Sequence, residues 1–137
     1  MNFKKSILSV LLLFFVSNVL TTIWYMLSDN ANMVSFRREE MNYLGLMLNH
    51  FIYAIGFVYL FPYYYEQHKT YVSAFIFGGI LSAIMFIPTG IVVRSIWLVD
   101  FKAIFILNSI AHIIIGGIMG LLLAFIFNFK NKKDEKI

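Results

Sequence analysis

Four apolar runs dominate this sequence, each close to the ~20 residues an α-helix needs to cross a ~30 Å hydrocarbon core. They extend from about Ile7 to Leu27, Tyr43 to Phe61, Tyr71 to Val93 and Phe101 to Phe127, and charged residues stay outside them or at their edges. Inside lipid, every backbone N–H and C=O must pair within its own segment, so each run is expected to be helical. Short connections favour antiparallel neighbours. The expected fold is therefore all-α: an integral membrane four-helix antiparallel bundle, built as one domain over residues 1–137 with a charged, frayed tail over 129–137.

Composition excludes the main alternatives. The chain is 61% hydrophobic and 13% charged, against about 45–50% and about 25% in an ordinary soluble domain. A soluble chain of 137 residues has too much surface for its volume to hide that apolar excess. A soluble enzyme, a disordered chain and a disulfide-stapled secreted module are thereby ruled out. With no cysteine at all, the chain has no thiol relay, zinc–cysteine site, iron–sulfur cluster or c-type haem attachment. The net charge of +4 reads as cytoplasmic loops facing anionic lipid, and nucleic acid is not an expected partner.

Lysine and arginine placement orients the spans. One side holds Lys4, Lys5, Lys69, Lys130, Lys132, Lys133 and Lys136; the other holds Arg37, Arg38, Arg94 and Lys102. The richer side faces the cytoplasm, which places both termini there. Lys4 and Lys5 followed by Ile7 to Val16 resemble the start of a signal peptide. The apolar run continues through Trp24 without a small-x-small cleavage pattern, so an uncleaved first span is expected. In the longest connection, Ser35 is positioned to cap a helical stub carrying Glu39 and Glu40 in its first turns. Pro62 is expected to help end the second span, and Pro88 to kink the third.

Polar residues inside the spans are the chemical clues. Asn18, Thr21, Thr22 and Tyr25 lie in the first, Asn49, His50 and Tyr53 in the second, and Asn108, Ser109 and His112 in the fourth. At ~1.5 Å per residue, Asn18, His50, Asn108 and His112 come at similar depths in the outer half of the bilayer. The candidate cluster is Asn18, Thr22, Asn49, His50, Asn108 and His112. One reading makes it glue between helices, at about 0.6 kcal/mol per contact. The other makes it a small polar cavity that binds a ligand or relays a proton. No cofactor is expected, although His50 and His112 supply the minimum pair for a b-type haem.

A second pattern concerns packing. Asn108, His112, Gly116, Gly120 and Ala124 recur every fourth residue, and Ala74, Gly78 and Ser82 form a similar stripe on the third span. Small residues at that spacing let helix backbones approach closely. The stripes either face each other within the chain or form a seam between copies, so a homo-oligomer or a membrane-protein partner is a candidate beside the lipid bilayer.

Catalytic chemistry finds little support. Small multidrug exporters need a carboxylate inside the first span, and this span has none. Ser109 precedes His112 by three residues, but no orienting carboxylate or oxyanion hole accompanies them. The chain is read as no enzyme.

Several features together carry a resemblance. Trp24-Tyr25 closes the first span ahead of Asp29, and Phe61-Pro62-Tyr63-Tyr64 closes the second. Gly78-Gly79 stands in the third, and Gly116-Gly117 with Gly120 in the last. The arrangement resembles families of short four-helix bacterial membrane proteins classed as domains of unknown function. That resemblance implies a bacterial inner-membrane protein with four helices and transfers no catalytic residue. The expected role is accessory or ligand-binding through the outer-half cluster. A small transporter or proton relay is the alternative, and a haem-binding electron carrier the second alternative.

Overall fold

A computed structural model describes residues 3–28, 43–68, 70–96 and 102–134. Every regular element among the described residues is an α-helix: α1 (Phe3–Ser28), α2 (Tyr43–His68), α3 (Tyr71–Ile96) and α4 (Lys102–Asp134). All four are long and apolar enough to cross a membrane. Ser35, Glu39 and Glu40, with the stub they were expected to form, lie outside the described residues. The contacts divide the chain into two compact units, Met1–Val58 and Tyr59–Ile137.

In the first unit, α1 buries Ser9, Leu13, Ser17 and Thr21, one residue per turn. The early part of α2 buries His50, Tyr53, Ala54, Phe57 and Val58. Edge-to-face contact between Phe14 and Phe51, with ring centroids 6.0 Å apart, joins the two helices.

The second unit is built on an antiparallel pair, α3 and α4. Ala74 meets Gly120, Gly78 meets both Gly116 and Gly120, Ser82 meets Gly116, and Gly90 meets Phe105. A Cβ added at Gly78 would collide with the Gly116 carbonyl, and one at Gly120 with the Ala74 carbonyl. Only glycine permits main chains to come that close. Ala124 is fully buried farther along α4. Aromatic rings continue the contact at one end. Phe61, fully buried, meets Phe77 of α3 at 5.6 Å and Phe127 of α4 at 5.3 Å between centroids.

Two helix ends differ from the sequence reading. Pro62 does not end α2, which continues to His68. A proline inside a helix forfeits one hydrogen bond and crowds the carbonyl four residues back. The following turn is held nonetheless: Tyr65 stacks on Phe61 at 4.9 Å, and Tyr64 lies 5.0 Å from Phe77. Likewise α4 is helical past Phe129 to Asp134, where a frayed tail was expected. Pro88 also sits inside an unbroken helix. The next residue's Thr89 hydroxyl donates to the Met85 carbonyl at 3.0 Å, adding a bond in the turn that the proline weakens.

The start of α3 has a reciprocal cap that the sequence reading missed. Ser73 N–H donates to Thr70 Oγ1 at 3.1 Å, and Thr70 N–H donates to Ser73 Oγ at 3.3 Å. Two backbone donors left over at the helix start are thus satisfied. The T-x-x-S spacing ahead of an apolar run carried that signal.

Candidate functional site

The six residues of the candidate cluster divide between the units. Asn18, Thr22, Asn49 and His50 belong to the first, Asn108 and His112 to the second.

Helical geometry sorts the first group by face. Successive residues point about 100° apart, so neighbours in sequence meet different surroundings. His50 is buried, only 3% exposed, while the adjacent Asn49 is exposed. Thr21 is buried and Thr22 exposed in the same way. Asn18 is half-buried and donates its amide to the Phe14 carbonyl of its own helix at 2.8 Å. Ser17 shares that acceptor at 3.0 Å.

Four buried polar atoms of this unit stand apart. His50 Nδ1, Thr21 Oγ1, Ser9 Oγ and Ser28 Oγ have no hydrogen-bond partner. A buried polar group without one costs about 1–3 kcal/mol, and native structures hold few such groups. The sequence reading named His50 and Thr21 but overlooked Ser9 and Ser17. Their signal was the four-residue recurrence Ser9, Leu13, Ser17, Thr21, which is the pattern of a buried helix stripe.

In the second unit, His112 is 7% exposed and stacks on Phe86 of α3. Asn108 is half-buried one turn away. Ser109 directs its hydroxyl to the Phe105 carbonyl at 2.8 Å rather than to His112, the usual back-bond of a serine inside a helix. Gly78, Ser82, Gly116 and Gly120 form the closest part of the α3–α4 contact. They serve there as the backbone seam of that contact.

Chemically, the first unit offers more. An imidazole nitrogen held away from solvent is an open hydrogen-bonding position, able to donate or accept according to its tautomer. No group of three or more His, Asp or Glu side chains gathers among the described residues. No protein-family model, curated protein or solved structure matches the chain.

Proposed function

We propose that this chain is a multi-pass protein of a bacterial cytoplasmic membrane, with both termini in the cytoplasm, acting as an accessory component that binds a small polar ligand at His50. The observation that carries this reading is the buried His50 ring, whose Nδ1 has no partner. Keeping such a group costs stability unless something outside the chain completes it. His50 stands seven residues inside α2, about 10 Å below its start at ~1.5 Å per residue. That depth suits a ligand entering from the outer side. The seven-to-four distribution of basic residues supports the orientation.

Native mass spectrometry of the full chain extracted in mild detergent tests the binding. The wild type should retain a small bound molecule that His50→Leu loses. A wild type with no adduct, or an adduct that survives the substitution, overturns the reading. Orientation is tested separately, because the chain has no cysteine of its own. Single cysteines replacing Lys4 or Lys136 should react with an impermeant thiol reagent only after the membrane is opened, and one replacing Arg37 before.

A further inference from the structure

On α1 the exposed residues are apolar, Leu8, Leu11, Leu12, Phe15 and Val19 among them, while the buried ones are Ser9, Leu13, Ser17 and Thr21. Together with Ser28 at the helix end, the buried residues fall within an arc of about 120° at about 100° per residue. A helical hydroxyl without another partner ordinarily turns back to the carbonyl four residues earlier, as those of Ser95 and Ser109 do. Those of Ser9, Thr21 and Ser28 have no partner, although Ser9 is only 1% and Thr21 only 4% exposed. His50 Nδ1 of α2 shares that condition.

One small molecule held at His50 does not reach all of these atoms. Ser9 and Ser28 stand nineteen residues apart on α1, about 28 Å at ~1.5 Å per residue, close to the ~30 Å thickness of a hydrocarbon core. With successive spans running in opposite directions, the Phe14–Phe51 contact brings His50 level with Phe15. His50 then falls midway between Ser9 and Thr21, about 9 Å from each along the axis, and close to the level of Leu13, the apolar step in the stripe. Ser17 lies between His50 and Thr21. Its hydroxyl donates to the Phe14 carbonyl and keeps its lone pairs free to accept. Two waters joined by hydrogen bonds of about 2.8 Å span an interval of about 9 Å, and buried waters take up polar atoms that a chain leaves unsatisfied.

We propose that a file of water follows the buried face of α1 from Ser28 past Thr21, Ser17 and His50 to Ser9, and passes water and other uncharged molecules of that size across the membrane. From Ser6 to Ser28 the sequence holds no Asp, Glu, Lys or Arg, so the file offers an ion no counter-charge for its lost hydration. An uncharged solute bears no such cost and exchanges its hydrogen bonds from one hydroxyl to the next. The file shares His50 with the ligand reading but does not require a molecule retained there.

Two measurements on the full chain in phosphatidylethanolamine–phosphatidylglycerol vesicles test the file. X-ray radiolysis turns bound water into hydroxyl radicals that oxidise the side chains beside it. Leu13 and Leu123 are both fully buried, yet Leu13, on the file, should be oxidised several-fold faster than Leu123 on α4. Stopped-flow shrinkage under an osmotic gradient should be several-fold faster than in protein-free vesicles. Thr21→Val, which keeps the shape of the side chain, should slow both the shrinkage and the oxidation of Leu13 while leaving Leu123 unchanged. Ser9→Ala should slow the shrinkage as well. Thr22→Val, on an exposed face, should slow neither. Leu13 oxidised no faster than Leu123, shrinkage at the protein-free rate, or equal effects of Thr21→Val and Thr22→Val overturns the proposal and leaves the His50 reading standing. An adduct missing from a chain that passes water overturns only the His50 reading.

Discussion

His112 of α4 lies flat on Phe86 of α3, with ring centroids 3.8 Å apart and planes 7° from parallel. The stack occupies the next step along the α3–α4 ladder after the contact of Ser82 with Gly116. Four residues forward on α3 and four back on α4 lead from one contact to the other. The closeness of the backbones at the glycines thus places the two rings face to face. In lipid, where burial of apolar surface supplies no driving force between helices, such packing must hold the pair together.

Coupling between the two rings follows from that geometry. In a double-mutant cycle with Phe86→Leu and His112→Leu, the coupling should be about 0.5–1.5 kcal/mol, the range of ring–ring contacts. Reversible unfolding in mixed micelles measures it. Strictly additive effects would show that the rings are adjacent without being energetically linked.

Glycines on the two units should respond in opposite directions. Gly116→Ala places a methyl against the Gly78 carbonyl and Ser82, and should destabilise the chain by about 1–3 kcal/mol as the backbones separate. Gly56→Ala, with open space around it, should stabilise α2 by up to ~1 kcal/mol through helix propensity. Thermal denaturation in detergent, at dilution where the chain is monomeric, distinguishes the two. A tolerated Gly116→Ala would contradict the close approach of α3 and α4.

The cap on α3 offers a local test. Thr70→Ala removes the acceptor for Ser73 N–H and should cost about 1 kcal/mol. Hydrogen exchange should show the loss of protection concentrated in the first turn, from Tyr71 to Ala74. Uniform loss along α3 would mean that the cap is not what secures this helix end.

At His50 the trade-off is between stability and binding. Replacing it with leucine removes a buried atom that has no partner, so the empty chain should gain about 1–3 kcal/mol while losing its ligand. An unfolding curve for His50→Leu recorded beside the adduct measurement gives both readings. A variant less stable than the wild type would mean that the ring serves the chain's own packing.

Much of the fold was legible because the bilayer imposes a length and a polarity on each crossing segment. The helices beginning at Phe3, Tyr43, Tyr71 and Lys102 all contain the long apolar runs. Helix ends were less legible. Pro62 signals a stop locally, but Phe61, Tyr65, Phe77 and Phe127 hold the helix beyond it, and those contacts involve residues distant in sequence. The candidate site was legible only as a list of polar residues. Asn49 and His50 are adjacent, as are Thr21 and Thr22, yet one of each pair is buried and the other exposed. Span periodicity gave little help, because apolar residues surround every face of each helix.

By itself, the sequence determined how many helices are long and apolar enough to cross a membrane, and where small and polar residues interrupt them. Hydrophobicity and segment length are local properties, so no knowledge of neighbours was needed. Only the tertiary structure decided which faces are covered. It set Gly78 against Gly116 and Gly120, laid His112 on Phe86, and left His50 Nδ1 buried without a partner. Facing depends on the rotation of one helix against another. In a chain this apolar, that rotation is settled by steric fit between side chains and backbones, which no single segment encodes.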